Sequence, residues 1–209
     1  MSFKKNKYSV LKKSISKEIA DFSYSYFLNK RKVAKFLFDQ RYISPFTQYF
    51  GVWVDPQFSN TYSHYADIVM ETLLEKVKPT IEKHIGFKLS PTYTYARIYK
   101  KGDVLHRHKD RYSCEVSATL NLGGDEWPIY LDPTGGKGQA GMKVDLKPGD
   151  MLIYSGDALE HWREEFSGTD CCQVFLHYNK ANSKKAKQNE FDTRPFLGLP
   201  AWYKGFNVK

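Results

Sequence analysis

The stretch LHRHKDRYSCEVSATLNL, residues 105–122, places His106, His108 and Asp110 at alternate positions directly before an apolar run. Residues i and i+2 of an extended strand point to the same side, so these side chains converge if extended backbone continues through them. A lone His-x-Asp is weak evidence for a metal site, because the pattern often occurs by chance. The surrounding sequence must therefore decide whether the three residues share a site and what completes it.

Short strands separated by turn residues surround this stretch. From residue 91 onward, runs rich in Val, Ile, Thr, Tyr and Phe alternate with Gly, Pro and Asp and show no helical period. The predicted strands are TYTYARIYK (92–100), CEVSATLNL (114–122), IYLDP (129–133), GMKVDL (141–146), MLIYS (151–155) and CCQVFLHYN (171–179). Such a series predicts an antiparallel sandwich or barrel, which shortens exposed sheet edges.

The first third of the chain has helical spacing instead. Apolar residues recur at threes and fours in residues 15–40 and again in residues 62–86. Pro79 is expected to start a new turn and Gly86 to end the second helix. Helices followed by strands predict an α+β fold with the helices packed on one outer face.

The length of 209 residues and a hydrophobic content of 41% suit one core. We therefore expect a single domain over 1–209, with a mainly helical part at 1–90, a β core at 91–180 and an extension at 181–209. The extension is expected to dock on the core, since it carries much apolar surface for a loose tail. Its large apolar side chains are Phe196, Trp202, Tyr203 and Phe206.

Composition limits the setting of the protein without naming a partner. The sequence has no apolar run of about 20 residues and begins without the apolar centre of a signal peptide, so we expect a cytoplasmic protein without a membrane span. Cys114, Cys171 and Cys172 are odd in number and lack zinc-type pairing, which suits a reducing compartment. A formal charge of +9 could attract nucleic acid, an acidic protein or a small anion.

A distant histidine could complete a metal site. His161 lies in GDALEHWRE, just after a turn and strand that could return the chain to the mouth of a barrel. Two members of the first group together with His161 would form the two-histidine, one-carboxylate face that binds Fe(II) and leaves coordination positions open.

The order of these elements is more specific than any one of them. IYKKGDVLHRHKD (98–110), a β run ending at Asn121, LKPGDMLIYSGDALEH (146–161) and GTDCCQVFLHY (168–178) follow one another. This set resembles the iron- and 2-oxoglutarate-dependent dioxygenases, in particular their prolyl-hydroxylase-like branch, over about residues 91–180. The resemblance implies a double-stranded β-helix, or jelly roll, with the metal at its open end. By position it implies His108, Asp110 and His161 as the ligands and leaves His106 beside them or at the entrance.

The resemblance also implies Fe(II), 2-oxoglutarate and O2 as cofactor and co-substrates. These enzymes usually hold the far carboxylate of 2-oxoglutarate with an Arg or Lys about ten residues beyond the distal histidine. That place is taken here by Gly168-Thr169-Asp170. Arg163 is the predicted replacement, because it lies two residues after His161 and so on the same face of a regular strand. A surface ion pair with Glu164 or Glu165 is the alternative.

Other residues receive roles by position. Arg97 is the reserve anchor, and the hydroxyls of Tyr99 and Thr119 match groups that bind the co-substrate in the hydroxylase-like branch. Arg111 and Glu115 could orient the ligands from outside the coordination sphere, and a salt bridge at the barrel mouth is the alternative. Trp127 could help to wall the site, whereas His177 is expected to be a hydrogen-bonded core histidine.

The predicted function is hydroxylation of an unactivated C–H bond, with release of succinate and CO2. The expected substrate is a peptidyl proline or another peptide, protein or amino-acid substrate, with nucleic acid as second choice through an AlkB-type demethylase. Two further alternatives are a cupin-type metalloenzyme using His106, His108 and Glu115, and a non-catalytic basic binding module. The sequence indicates no oligomeric state.

Overall fold

The computed structural model describes residues 3–44 and 46–203. The helices of this part of the chain are α1 (Phe3–Asn6), α2 (Lys17–Asp39), α3 (Ile68–Ile85) and α4 (Lys184–Asn189). Its strands are β1 (Tyr8–Leu11), β2 (Val52–Val54), β3 (Ser59–Tyr65), β4 (Leu89–Lys100), β5 (Leu105–His108), β6 (Val116–Gly124), β7 (Ile129–Leu131), β8 (Met142–Val144), β9 (Met151–Tyr154), β10 (His161–Arg163) and β11 (Asp170–Lys180). No helix among these residues is long and apolar enough to cross a bilayer.

The strands form two antiparallel sheets. The large sheet has the order β1-β9-β6-β11-β4-β3-β2, and the small sheet has the order β5-β10-β7-β8. Side chains from both sheets share a buried cluster that includes Leu131 of β7 and Leu152 of β9. This is a double-stranded β-helix, and the predicted α+β class is confirmed.

All six predicted strands are present, because their patterns and turn residues are local signals. The first third contains three strands that the helical interpretation missed. Residues 62–65 were expected to begin a helix, but they belong to β3 and pair with β4 from Tyr62–Ile98 to Tyr65–Tyr95. Pairing with a distant strand overrides the local pattern. The chain then turns at Ala66, which has a φ of 57°, and α3 begins.

The two long helices have the expected end signals. Ser16 caps α2 by accepting a hydrogen bond from the Ile19 N–H, and Asp67 accepts from the first N–H groups of α3. Gly86 ends α3 in the left-handed region, as predicted. The expectation of a new turn at Pro79 is wrong, because α3 continues through it. Pro79 lies on the exposed side, where water can satisfy the carbonyl that loses its partner.

Both long helices cover one face of the large sheet. Alternation along β6 sends Ala118 and Leu120 toward the helices, while Ser117 and Thr119 point into the barrel. The resulting core includes Phe27 and Ala34 of α2, Leu74 and Ile81 of α3, Ala118 and Leu120 of β6, and Val174 and Leu176 of β11. The predicted packing of helices on one face is therefore confirmed, and the opposite face of the sheet is left to form the site.

The segment after α4 contacts the core through polar groups. Arg194 is 3% exposed and pairs with Glu71 of α3 at 2.8 Å. Phe196 and Trp202 remain 60% and 58% exposed, although Trp202 meets the edge of the Tyr49 ring. Phe206 lies outside the described residues. Organisation as a single domain stays a prediction.

Candidate metal centre

Neighbouring strands of the small sheet bring the first two side chains of the site together. His108 ends β5, His161 begins β10, and the two residues pair directly across the ladder. Asp110 follows β5, and its N–H donates to the Gly156 carbonyl at 2.8 Å. One ligand atom from each of the three lies within 4.8 Å of the others. Asp110 Oδ1 is 3.4 Å from His161 Nε2 and 3.8 Å from His108 Nε2.

An irregularity in β5 selects which histidine joins the cluster. His161 pairs with His108 and Arg163 pairs with Leu105, so β5 has one more residue than β10 between these pairs. This bulge lets both Leu105 and His108 face the cavity, whereas His106 is exposed. The simple alternation expected from the sequence therefore fails at His106, whose side chain lies outside the cluster.

The backbone fixes the tautomers of both imidazoles. His108 Nδ1 donates to the His106 carbonyl at 2.7 Å, and His161 Nδ1 donates to the Leu159 carbonyl at 3.2 Å. A carbonyl can only accept, so Nδ1 carries the proton in each ring. Both Nε2 atoms are then free to bind a metal, an arrangement typical of histidine ligands.

The charge states also suit a cation. Burial alone would raise the pKa of Asp110, but the neighbouring His161 ring and the hydrogen bond from Ser117 outweigh it and hold the pKa well below its ordinary value. Burial and the neighbouring His161 lower the pKa of His108. An ionised carboxylate beside neutral imidazole is the form that a metal requires.

A buried serine and histidine hold the carboxylate, and the sequence did not reveal this link. Ser117 Oγ donates to Asp110 Oδ2 at 2.6 Å and lies 3.0 Å from His177 Nδ1. The serine has one proton and gives it to the carboxylate, so His177 Nδ1 must donate to Ser117. Burial lowers the pKa of His177 to about 4, which keeps it neutral. Asp110 Oδ2 is thereby occupied, and Oδ1 remains on the side of the imidazoles.

A glycine leaves room for this carboxylate. A Cβ atom on Gly156 would lie 2.3 Å from both Asp110 Oδ2 and Ser117 Oγ. These distances are far below van der Waals contact, so any side chain would displace the Asp110–Ser117 pair. The GD pair after MLIYS was visible in the sequence, but its closeness to Asp110 depends on the fold.

A cavity of about 450 Å³ lies in front of the cluster. Arg97 and Arg111, both predicted near the site, line it. Arg111 donates to Asp192 at 2.9 Å and to the Tyr93 hydroxyl at 3.3 Å, and its orienting role stays a prediction. Further lining residues are Asp55, Pro56, Gln57, Tyr93, Tyr95, Leu105, Lys109, Tyr154, Phe175 and His177.

The predicted anchor Arg163 lies deeper in the barrel. It is 1% exposed and donates from Nη1 to the Trp127 carbonyl. Its Nε and Nη2 atoms have no hydrogen-bond partner among the described residues. Leu105 and Phe175 line the cavity and also pack in the cluster of Tyr99 and Trp127. Arg163 is therefore a buried cation behind the cavity, not a surface partner of Glu164 or Glu165.

The other co-substrate positions are occupied differently. Thr119 is buried and donates to Gln173 Oε1 at 3.2 Å. Asp170, at the place of the usual basic residue, pairs with Arg31 of α2 at 2.9 Å. Position 170 thus faces a helix outside the barrel, which explains why a cation there would not reach the cavity.

No family model and no curated protein match this sequence. Solved structures do match the fold. HygX from Streptomyces hygroscopicus, with nickel, 2-oxoglutarate and hygromycin B bound, gives a TM-score of 0.62 at 14% identity over 88% of this chain and 86% of that one. A Pseudomonas putida prolyl-4-hydroxylase gives a TM-score of 0.58 at 13% identity, over 86% of this chain and 96% of that one. The chain has the fold of the 2-oxoglutarate-dependent oxygenases. AviO1 from Streptomyces viridochromogenes Tue57 gives a TM-score of 0.62 at 9% identity, over 87% of this chain and 93% of that one.

Within this oxygenase fold, the ligand set of the cupin-type alternative is not assembled. That alternative required His106, His108 and Glu115. His106 is exposed, and Glu115 accepts the Lys180 N–H at 2.9 Å, at the far end of β11. The three side chains that do meet are those at the His-x-Asp and distal-histidine positions.

Proposed function

We propose that this protein is an Fe(II)- and 2-oxoglutarate-dependent dioxygenase that hydroxylates an unactivated C–H bond. The convergence of His108, Asp110 and His161 within 4.8 Å inside this fold carries the proposal. Two imidazoles and one carboxylate suit Fe(II) and leave coordination positions open on the cavity side.

When bound, Fe(II) with 2-oxoglutarate and O2 would supply the oxidising chemistry, with succinate and CO2 as by-products. The protein's part is to place the ligands and exclude water. Both Nε2 atoms and Asp110 Oδ1 would hold the metal, because Nδ1 of each ring and Oδ2 are engaged elsewhere. The rings of Tyr93, Tyr154 and Phe175 line the cavity and limit access of water to it.

Arg163 is proposed to hold the far carboxylate of 2-oxoglutarate. A buried guanidinium without a counterion is unfavourable, and a carboxylate could satisfy Nε and Nη2 together through charge-assisted bonds. The Tyr99 hydroxyl is also buried and could donate to the same anion. Trp127 places its ring 5.0 Å from the guanidinium and so restricts its orientation.

The substrate is proposed to be a peptidyl proline or an amino-acid-type molecule. The likeness to a prolyl-4-hydroxylase and a cavity walled by tyrosines support this class. Nucleic acid is the second choice.

The first test is an anaerobic titration of metal-free protein with Fe(II) and then 2-oxoglutarate. The readout is the visible charge-transfer band of a metal-chelated 2-oxo acid. Wild type and His106→Ala should show the band, and His108→Ala should lose it. His106→Ala is the matched control, since it removes an exposed histidine from the same strand. Arg163→Met should need roughly tenfold to hundredfold more 2-oxoglutarate, as expected for a lost charged hydrogen bond.

Other outcomes would redirect the assignment. A wild type that binds iron but shows no band would exclude 2-oxoglutarate as co-substrate. Equal loss in His106→Ala would restore the cupin-type ligand set. A chain that binds no iron but binds polyanions in a salt-dependent way would be a basic binding module.

A further inference from the structure

The turn between β2 and β3 places a carboxylate inside the metal cavity. Pro56 and Gln57 are exposed, whereas the Asp55 side chain is only 6% exposed. These three residues line the same cavity as His108, Asp110 and His161. A surface turn therefore contributes one buried acid to the space in front of the candidate metal centre.

The acid is held by donors from β4. Asp55 Oδ2 accepts from Arg97 Nη2 at 2.5 Å and from the Tyr95 hydroxyl at 2.5 Å. The guanidinium lies 4.4 Å from the centre of the Phe58 ring and 4.8 Å from that of Tyr95. The guanidinium also interacts with Tyr99, whose ring centre is 5.9 Å away. We call Arg97 and Tyr95 together the carboxylate site.

The donors and the acceptor of this contact belong to different kinds of structure. Arg97 and Tyr95 lie on a central strand that is paired on both sides, by β3 and β11. Asp55 belongs to a tight turn in which its own Oδ1 accepts the Gln57 N–H at 2.7 Å. Another carboxylate could replace Asp55 without any movement of β4, and Asp55 would regain water when its turn moved outward.

The barrel also contains more buried cations than the co-substrate needs. Arg163 is assigned to the far carboxylate of 2-oxoglutarate, and the near carboxylate would be neutralised by the metal. Arg111 lies at the cavity wall but is paired with Asp192 at 2.9 Å. Of the two described arginines that line the cavity, Arg97 has a side chain that is 6% exposed and Arg111 one that is 51% exposed, so Arg97 is the buried cation that a second bound anion can use.

We propose that the carboxylate site binds a carboxylate of the substrate and that Asp55 occupies this site when substrate is absent. The proposal rests on the proposed function and deepens it. The substrate is then a carboxylic acid with a free carboxylate, either a free amino acid or the C-terminal residue of a peptide. An internal peptide residue other than Asp or Glu has no such group and would leave Arg97 with Asp55.

The first experiment tests the carboxylate site in metal-free protein, so its failure leaves the proposed dioxygenase intact. Asp55→Ala should lower the unfolding temperature by roughly 5 °C or more, because it leaves a buried cation unpaired. Sodium acetate should restore a large part of this loss. Acetamide with the same concentration of sodium chloride should not, because acetamide carries no charge.

Two controls make the result specific. Asp39→Ala removes an exposed acid that pairs with Lys35 and should show no acetate effect beyond that of wild type. Adding Tyr95→Phe to Asp55→Ala removes one donor of the carboxylate site and should weaken the acetate effect. An acetate effect no larger than that of acetamide with salt in Asp55→Ala would overturn the proposal.

The second experiment separates the two sources of carboxylate. Wild type with Fe(II) and 2-oxoglutarate is titrated without O2 with each free L-amino acid and with its primary amide. Glycyl dipeptides with free or amidated C-termini form the second arm. The readout is a shift of the charge-transfer band, so absence of the band itself would report failure of the proposed function instead.

At least one free carboxylate should shift the band, and its amide should need about tenfold more, as expected for loss of a charged hydrogen bond. A response to free amino acids alone assigns the substrate to small molecules. A response to dipeptides assigns it to chain termini. Equal responses to acids and amides, or no response to any acid while the band is present, would overturn the proposal.

Discussion

Replacing Arg163 by methionine should stabilise the ligand-free protein, although the residue is almost fully buried. Its Nε and Nη2 atoms have no partner among the described residues, and its one hydrogen bond goes to the Trp127 carbonyl. Two buried donors without partners destabilise the folded protein by about 1–3 kcal/mol each, and methionine removes both. Losing the hydrogen bond to the Trp127 carbonyl costs about 1 kcal/mol, which offsets part of this gain. Methionine keeps an unbranched stem and removes the charge. We therefore expect the free energy of unfolding to rise by roughly 3 kcal/mol, or roughly 6–12 °C in unfolding temperature.

The same substitution at Arg194 should have the opposite sign. Arg194 is also buried, but its guanidinium is fully engaged by Glu71, by the Thr92 carbonyl at 3.1 Å and by the Leu199 carbonyl at 2.6 Å. Methionine there would leave Glu71 buried without its counterion. Breaking a buried pair in this way costs roughly 3–5 kcal/mol.

Urea unfolding followed by circular dichroism measures both variants. A repeat with Fe(II) and 2-oxoglutarate then tests the link to function. Ligand at about a hundred times its dissociation constant should add about 2.7 kcal/mol to the stability of wild type. The free energy of unfolding of Arg163→Met should not rise when 2-oxoglutarate is added at that concentration. A loss of stability as large as that of Arg194→Met, or an unchanged 2-oxoglutarate increment, would refute the reasoning.

Three further predictions concern the support of the ligands. Gly156→Ala should weaken Fe(II) binding by more than about tenfold, because the new Cβ would meet the Asp110 carboxylate at 2.3 Å; wild-type affinity by calorimetry would contradict this. Ser117→Ala should weaken Fe(II) binding roughly tenfold to hundredfold with unchanged circular dichroism, since Asp110 loses its hydrogen bond, and an unchanged affinity would show that Ser117 does not hold the ligand. The pKa of His177 is about 4 in the folded protein against an ordinary 6.5, so the unfolded chain binds the extra proton first. The free energy of unfolding should therefore fall by roughly 3 kcal/mol as the pH drops from the pKa of His177 in the unfolded chain to its pKa in the folded protein. His177→Gln should reduce this pH dependence in urea titrations. An equal pH dependence in the variant would assign it to other groups.

Local signals explain how much of the fold the sequence predicts. Six of the eight strands from β4 to β11 lie between Gly, Pro and Asp turns and were predicted, whereas β5 and β10, with four and three residues, were not. β1 carries little such signal, since it is four residues long and depends on pairing with β9, which is far from it in the sequence. β3 was hidden because its residues also fit the periodicity of the helix that follows it.

The candidate site divides in the same way. His108 and Asp110 are close in sequence, and the resemblance supplied His161. Asp55 and Ser117 could not be found, because turn closure and strand register bring them to the cavity. The exposure of His106 follows from a one-residue bulge in β5 that the local sequence does not predict. Sequence reasoning therefore reached the candidate ligands but not the groups that hold them.

The position of β5 has a consequence for folding and local opening. β5 is an edge strand of the small sheet and is held there by a short, irregular ladder with β10. Edge strands with few hydrogen bonds are the first to detach in native-state fluctuations. A metal bound by His108 and His161 would cross-link this strand to its neighbour, so opening of β5 would require loss of the ion. Metal binding should then slow amide hydrogen exchange in β5 and leave exchange in β8, the other edge strand, unchanged. The mobility of β5 would therefore depend on whether the metal ion is bound.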